Sequence, residues 1–524
     1  MNPLSIAMLL ASFLVFPVAS NAQTAAPKLR LPETVRPIRY SASLRMVPGE
    51  DRFTGYIEID LDVLQPTSTV WLHAKSLEFR GAAIMSNDVN LPVEIKPGTD
   101  DFVAFTALGE LHPKAPATLT ISYTGEISRT LTDGAFQQKQ GNDWYIFTKF
   151  EPVTARRVFP CFDEPSYKTA WKLILHVPRN LKAFSNTPIA SEEDESDGMK
   201  AVRFQQTKPL PSYLVAFAAG PFDIVETEPV GKNRTPSRIV VPRTRAPEAS
   251  YAASITPKLI EMLEQYFGTP YPYEKLDQIV VPLTTAWGAM ENAGLIAYGD
   301  FLLSPKQDDT ELRRRGRAGA MEHEMSHQWF GDLVTTAWWD DIWLNEAFAS
   351  WLSTKLLNEW KPEWQMKTDA ARSAGIMRAD SLTTSRKIRQ PIEAHGDIAN
   401  AFDGITYGKG EAVIGMFENY IGPEKFQQAI RLYLQQHAWG NATSTDLLAA
   451  LDKIAGPVLA LHFRHFSIKS ASLGWTLHCV VTASSRESNC LKPVFSPWAP
   501  PVRLGQSGTF QSAQTGAANR SVCC

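Results

Sequence analysis

Positions 323–327 read HEMSH, and Glu346 follows after eighteen further residues. An α-helix turns by about 100° per residue, so His323 and His327 would share one face and could bind the same metal ion. Glu324 falls one position off that line, where its carboxylate could reach a metal-bound water without displacing it. With Glu346 in a second predicted helix, the pattern predicts a His, His, Glu zinc site with an open fourth position.

The spacing of these residues also arises by chance, so a zinc site needs support from the rest of the chain. The chain has 524 residues, of which 44% are hydrophobic and 20% are charged, with a formal net charge of -3. These values are typical of a soluble globular protein with two to four domains. The small net charge gives no field that would attract nucleic acid or an anionic membrane, so neither partner is predicted.

The first 22 residues resemble a signal peptide. An apolar run over 6–18 is closed by the small residues ASNA at 19–22, which predicts cleavage there and export to a periplasm or the medium. The run is short for a membrane span, and we expect no stable membrane span in the mature protein. Only Cys161 lies before residue 479, so the main body is expected to fold without an internal disulfide.

Hydrophobic periodicity predicts an α+β fold in two parts. An N-terminal, largely antiparallel β-rich domain is predicted for 30–235, with strands near 56–63, 69–72, 102–106, 118–123, 144–148 and 171–177. A mainly helical domain is predicted for 236–456, with helices near 259–267, 311–330, 341–360, 411–420 and 425–437.

A second patch, GAMEN at 288–292, follows a strand-like run at 278–283. Its small residues would let the backbone approach a ligand closely, and Glu291 would place a carboxylate at the rim of the metal cleft. The alternative for Glu291 is a solvated loop acid. Asp332 is close enough in sequence to hydrogen-bond near a ligand imidazole, but its spacing does not show that it does. The basic cluster Arg313, Arg314, Arg315 and Arg317 is predicted to be a solvated helix face.

Several separated motifs, taken together, resemble the gluzincin aminopeptidases of the aminopeptidase N type. They are EPVTARR at 151–157, FPCFDEP at 159–165, GAMEN at 288–292, HEMSH with Glu346, and TYGKG at 406–410. The likeness extends from about residue 30 to about 456. It implies a thermolysin-like zinc peptidase domain after the β-rich domain.

The resemblance also implies a role for each site residue. One Zn²⁺ would be held by His323, His327 and Glu346. Glu324 would be the general base that deprotonates the attacking water, and Tyr407 would stabilise the oxyanion. Without the resemblance, Tyr407 would be read as an ordinary packed aromatic.

An aminopeptidase must also recognise a free amine, which is mostly protonated at pH 7. The resemblance implies that Glu291 and Glu151 anchor this amine, so that peptides lose one N-terminal residue at a time. The alternative for Glu151 is a surface acid at a strand end. The substrate-binding residues implied in this way are Glu151, Gly288, Ala289, Met290, Glu291 and Asn292.

The segment 457–524 departs from the family, whose full-length members continue for several hundred residues through a large helical domain. It contains one acidic residue, Glu487, and four of the five cysteines. We hypothesise a truncated or frameshifted product that lacks the large C-terminal helical domain; the alternative is a real basic tail, rich in cysteine and serine. Two further functional alternatives are an inactive or weakly active remnant and a combined epoxide hydrolase and aminopeptidase.

Overall fold

A computed structural model describes residues 26–304, 309–368, 375–376, 378, 380–382 and 385–456. The predicted signal peptide at 1–22 and the atypical segment at 457–524 lie outside the described residues. Within the described part, a β-rich region is followed by a helical region, which confirms the predicted α+β order. No helix among the described residues is long and apolar enough to cross a membrane.

The β-rich region is built on one large mixed sheet and one small sheet. Its strands are β1 (Val35–Arg45), β2 (Arg52–Val63), β3 (Thr67–His73), β4 (Glu78–Ser86), β5 (Val89–Pro97), β6 (Phe102–Leu111), β7 (Ala117–Glu126), β8 (Gly134–Gln140), β9 (Asp143–Lys149), β10 (Ala170–Pro178), β11 (Lys182–Ser185), β12 (Ile189–Asp194), β13 (Met199–Phe204) and β14 (Phe217–Gly220). All six predicted runs fall within these strands.

Ten of these strands form the large sheet in the order β12-β13-β10-β1-β2-β7-β4-β5-β6-β3. Neighbouring strands are antiparallel except for the parallel pair β1 and β10. Strand β2 shows why the sheet forms. Every second residue from Phe53 to Val63 is buried while most of the others face solvent, which is the period of a half-covered strand.

The small sheet has the strand order β11-β14-β9-β8. Strand β9 ends at Lys149. The segment that follows contains a buried ion pair between Arg156 and Asp163. Arg156, only 2% exposed, donates through Nε to Asp163 Oδ2 at 2.8 Å, and Ser212 Oγ donates to Asp163 Oδ1 at 2.6 Å. These contacts hold the segment between β9 and β10 against the sheet.

A five-stranded sheet links the two regions. Its strands are β15 (Phe222–Glu226), β16 (Ser237–Pro242), β17 (Leu276–Val281), β18 (Ala289–Met290) and β19 (Leu295–Gly299), in the order β15-β16-β17-β19-β18. The central three strands are parallel, and every residue of β17 is buried, as expected for a covered parallel strand. The predicted domain boundary at 235/236 lies between β15 and β16 and stays a prediction.

The helical region surrounds the end of this sheet. Its α-helices are α1 (Ser250–Phe267), α2 (Glu311–His327), α3 (Trp343–Trp360), α4 (His395–Asn400), α5 (Gly410–Ile421), α6 (Pro423–His437) and α7 (Ser444–Ala455), and the strand pair β20 (Thr335–Thr336) and β21 (Asn441–Ala442) joins distant segments. Helix α2 ends three residues earlier than predicted. The chain turns there, and Gly331 adopts a φ of 133° that L side chains rarely adopt.

Helix α3 packs against an aromatic ring from the turn after α2 and is closely approached by α5. Phe330 and Phe348 stack with ring centroids 3.7 Å apart. A Cβ on Gly410 would lie 2.5 Å from the Cβ of Ala347, so α5 approaches α3 at a distance that only glycine permits. Helix α3 is therefore covered on most of its circumference, and 13 of its 18 residues are buried.

Replacing Arg156 with Leu is expected to lower the free energy of unfolding by about 3–5 kcal/mol, because Asp163 would be left as an unpaired buried charge. Chemical denaturation followed by circular dichroism measures the change. Arg36→Leu is the matched control, since the Arg36–Glu33 pair is largely exposed and such pairs contribute about 0–1 kcal/mol. Equal destabilisation by the two variants would contradict the assignment.

Candidate metal centre and substrate cavity

The end of α2 and the first turn of α3 bring three potential ligand atoms to one point. The Nε2 atoms of His323 and His327 are 3.1 Å apart, and Glu346 Oε2 lies 3.4 Å from each of them. In a tetrahedral zinc site with bonds of about 2.0–2.1 Å, ligand atoms are about 3.3 Å apart. The spacing and the nitrogen and oxygen donors therefore fit a zinc ion, and the three residues form a candidate metal cluster.

Hydrogen bonds at the far side of each ring orient the imidazoles. His327 Nδ1 lies 2.9 Å from the carbonyl oxygen of Phe330, which can only accept, so Nδ1 carries the hydrogen and Nε2 presents its lone pair to the centre. His323 Nδ1 lies 3.4 Å from Ser350 Oγ. Asp332, which the sequence left as a candidate for this role, accepts through Oδ2 from Gln328 Nε2 at 3.0 Å.

Four carboxylates surround this point in a largely dry environment. Glu151, Glu291, Glu324 and Glu346 are each at most 8% exposed. Burial raises the pKa of Glu151 and Glu324 well above the usual range and raises that of Glu291. Burial acts the same way on Glu346, but His327 and His323 outweigh it and hold the pKa of Glu346 below its usual value. A bound cation would favour the ionised form of all four carboxylates.

A cavity of about 960 Å³ opens over these residues. The predicted site residues that line it are Glu151, Gly288, Ala289, Glu291, His323, Glu324, His327, Glu346 and Tyr407. Met290 and Asn292, predicted with them, are fully buried, and neither is among the described residues that line this cavity. Glu291 was expected at the rim but is 3% exposed, because β18 carries it into the interior.

Tyr407 lies in a π-helical turn, Ile405–Lys409, which leads directly into α5. The ring of Tyr407 stacks on that of His323, with centroids 6.2 Å apart and an interplanar angle of 27°. Burial, followed by the charge of Glu346, raises the pKa of the phenol well above 10, so the hydroxyl keeps its proton at neutral pH.

Gln328, which sequence reasoning missed, connects α2 to the GAMEN segment. Its Nε2 donates to Glu291 O at 2.8 Å and to Asp332 Oδ2, and its Oε1 accepts from Tyr271 Oη at 3.0 Å and Gly294 N at 3.1 Å. The amide thus uses all of its hydrogen-bonding capacity in a fully buried position. Gln328 fixes the backbone of Glu291 relative to the histidines, and its only sequence signal is that it follows His327.

The loop before Gly288 is tied to the β-rich region. Thr132 Oγ1 lies 2.6 Å from Thr285 Oγ1, Trp287 Nε1 donates to Thr132 O at 3.0 Å, and Gln138 exchanges two hydrogen bonds with the backbone of Leu283. One wall of the cavity is therefore built by residues that are some 150 positions apart in the chain.

The predicted solvated face before the zinc motif is wrong for Arg317. This residue is 3% exposed and donates through Nη1 to Asp309 at 2.6 Å and through Nε to Phe301 O at 2.9 Å. Its guanidinium therefore anchors the start of α2 to the segment after β19. The sequence analysis missed this role, because Phe301 and Asp309 become neighbours of the Arg317 side chain only in the folded protein.

Two histidines one helical turn apart, a glutamate from the next helix and a further buried glutamate beside a large cavity form a candidate site of the metallopeptidase class. Comparison with known families agrees with this class. Residues 36–214 match the peptidase M1 N-terminal domain, and residues 251–469 match the peptidase family M1 domain. The chain belongs to peptidase family M1.

Individual relatives show the same likeness. The chain is 34% identical to aminopeptidase M1-A of Oryza sativa subsp. japonica, over 84% of this chain and 51% of the relative. It is 33% identical to aminopeptidase M1 of Arabidopsis thaliana, over 82% and 49% respectively. It is 32% identical to glutamyl aminopeptidase of Bos taurus, over 84% and 47%. The chain thus spans about half the length of the curated relatives it matches.

Replacing Gln328 with Met, which has a similar length but no hydrogen-bonding amide, is expected to lower the free energy of unfolding by about 2–5 kcal/mol. Gly294 N, Glu291 O and Asp332 Oδ2 would lose a partner in the interior. Urea denaturation measures the effect. Gln265→Met on the exposed face of α1, where the amide makes one side-chain hydrogen bond to Glu261, is the control. A Gln328 variant as stable as this control would show that the four bonds contribute little.

Proposed function

We propose that this protein is a zinc-dependent aminopeptidase that hydrolyses the first peptide bond of peptides with a free N-terminus. The observation that carries the proposal is that one cavity contains the three convergent ligand atoms, a separate buried glutamate beside them, and two more buried glutamates. The names of the relatives, which are aminopeptidases, support the same reaction.

The metal would be held by His323 Nε2, His327 Nε2 and Glu346 Oε2. When bound, zinc supplies a Lewis acid that polarises a carbonyl and acidifies a coordinated water. The chain contributes the orientation, because the Phe330 carbonyl fixes the tautomer of His327 and Ser350 lies beside His323.

Glu324 is the general base in this proposal. It follows His323 on α2, lines the cavity, and is not one of the three convergent ligands, so its carboxylate remains available for proton transfer. Glu324 takes a proton from the attacking water and returns it to the leaving amine. Tyr407 donates its hydroxyl hydrogen to the developing oxyanion, a role that its raised pKa suits because the phenol stays neutral.

Two carboxylates would restrict cleavage to the N-terminal residue of a peptide substrate. A free α-amine has a pKa of about 7.7–8.0 and is mostly cationic at pH 7. Glu291 and Glu151 lie on the same cavity wall, and each offers a carboxylate oxygen close to those of the other and of Glu346. Each also has one buried oxygen, Oε1, without a hydrogen-bond partner. An ammonium group bound between them would satisfy both and would place the adjacent peptide bond over the metal ligands.

We also propose that the protein is exported. The apolar run at 6–18, followed by small residues at 19–22, supports this proposal. Amino-terminal sequencing of the protein expressed with its native start in its own host checks it. A mature chain that begins at Gln23 is expected, and one that retains residues 1–22 would overturn the proposal.

The central test compares an aminoacyl p-nitroanilide with its N-acetylated form. The free-amine substrate is expected to be cleaved at least about 100-fold faster, because acetylation removes the charge that pairs with Glu151 and Glu291. Dipicolinate should abolish turnover, and added zinc should restore it. Equal rates for the two substrates would contradict amine recognition, and turnover that survives chelation would contradict the metal.

Replacing Glu324 with Gln is expected to lower kcat by about 100-fold to 10,000-fold, because the amide cannot accept the proton. The variant should keep its zinc, measured by inductively coupled plasma mass spectrometry. His327→Ala should lose both zinc and turnover, while His176→Ala, which removes a histidine in β10 that pairs with Glu195, should lose neither. A Glu324 variant with normal kcat would rule out its role as base.

A further inference from the structure

One cation faces the substrate cavity. Lys149, the last residue of β9, is the single lysine or arginine among the described residues that line it. The side chain is half-buried and stands two residues before Glu151, at the wall to which we assign the substrate amine. The sequence analysis did not identify this residue, because a lysine at a strand end is usually a solvated charge.

The ammonium of Lys149 has unused hydrogen-bonding capacity. Its Nζ donates to the backbone carbonyl of Glu151, and within the described part of the chain it forms no ion pair with a carboxylate. Several other enclosed cations pair with a carboxylate: Lys200 with Glu192, Lys275 with Asp277, Lys355 with Glu418 and Arg317 with Asp309. Lys168 has no carboxylate partner but donates to three backbone carbonyls, whereas Lys149 donates to one. An ammonium group has three donors, so up to two of them remain for a ligand in the cavity.

Among the acids that line the cavity, Asp133 precedes Gly134, the strand partner of Lys149, and pairs with a different cation. Asp133 Oδ1 lies 3.0 Å from Arg157 Nη1. Glu151, whose backbone carbonyl accepts from Lys149 Nζ, has a carboxylate oxygen within 4.8 Å of those of Glu291 and Glu346. The Lys149 ammonium therefore lies beside this group of carboxylates.

The position of the amine determines which part of a substrate would meet Lys149. If Glu151 and Glu291 hold the α-amine, the Cα of the first residue is one bond away, and its side chain must leave that atom into the same end of the cavity. The side chain of a glutamate carries its carboxylate about 4–5 Å from Cα. A carboxylate at that distance can meet a lysine whose Nζ already contacts the backbone of an anchor residue.

We propose that Lys149 binds the side-chain carboxylate of the substrate's first residue, so that this protein selects peptides that begin with Glu or Asp. The inference rests on the proposed aminopeptidase function and specifies its substrate class. The alternative role for Lys149 is to offset the negative charge of Glu151 and Glu291. That role predicts an equal loss for every substrate when Lys149 is neutralised, whereas pairing with a substrate carboxylate predicts a selective loss.

Glutamyl and glutaminyl p-nitroanilides separate these roles, because the two side chains have nearly the same shape and differ in charge. The zinc-loaded protein is expected to show a kcat/KM for the glutamyl substrate at least about ten-fold above that for the glutaminyl substrate, since hydrogen bonds between charged groups contribute about 1.5–3 kcal/mol. A ratio near one in the unaltered protein would overturn the proposal without any variant.

Four variants sharpen the test. Lys149→Gln should bring the ratio close to one, Lys149→Arg should largely preserve it, and Lys149→Glu should favour arginyl over glutamyl substrate. Lys139→Gln, which neutralises an exposed lysine on the same β8–β9 hairpin, should leave the ratio unchanged. A displaced Glu151 would slow both substrates alike, so the ratio reports the charge contact. A ratio that persists in Lys149→Gln would overturn the proposal.

A binding measurement tests the role of Lys149 independently of the proposed aminopeptidase reaction. Zinc-loaded Glu324→Gln protein, titrated calorimetrically with glutamic acid α-amide and with glutamine α-amide, should bind the former about ten-fold more tightly, and the additional change Lys149→Gln should remove the difference. If no aminoacyl substrate is cleaved but this difference is found, the aminopeptidase reaction fails and the carboxylate contact stands. Cleavage without preference refutes only the role of Lys149.

Discussion

The site depends on one electrostatic constraint: four carboxylates are buried around a single point between α2 and α3. Glu151, Glu291, Glu324 and Glu346 cannot all be ionised in a dry environment unless positive charge lies among them. The two imidazoles, a metal ion, the substrate amine and the ammonium of Lys149 are the charges that the geometry can bring there. In the proposed function, metal binding and amine recognition would therefore be coupled, because each would lower the cost of burying the other's carboxylates.

Distant parts of the chain must meet to enforce this burial. Gln328 ties the zinc helix to the backbone of Glu291, while Thr132 and Gln138 tie the preceding loop to the β-rich region. Glu151 enters from the end of β9. The β-rich region is thus part of the candidate site, since it supplies Glu151, one of the two acids proposed to hold the amine, and Lys149 beside it.

Much of the fold and the metal set could be predicted, and the remainder depended on neighbours that sequence does not reveal. Strand alternation located the six predicted runs, and the spacing of His323 and His327 placed both on one helical face. The end of α2 was predicted three residues too late. The chain turns at Phe330 and Gly331, and hydrophobic periodicity does not show that turn. Arg317 was assigned to solvent because burial depends on packing partners that periodicity does not reveal.

The sequence by itself determined the chemistry that is available: the ligand types, their helical spacing, the separate glutamate and the family motifs. These follow from local periodicity, which a single chain segment carries. Only the tertiary structure decided which groups share one cavity, which acids are buried, which imidazole nitrogen faces the candidate metal centre, and that Lys149 lies beside Glu151. Those properties depend on distances between segments more than a hundred residues apart, and local sequence does not encode such distances.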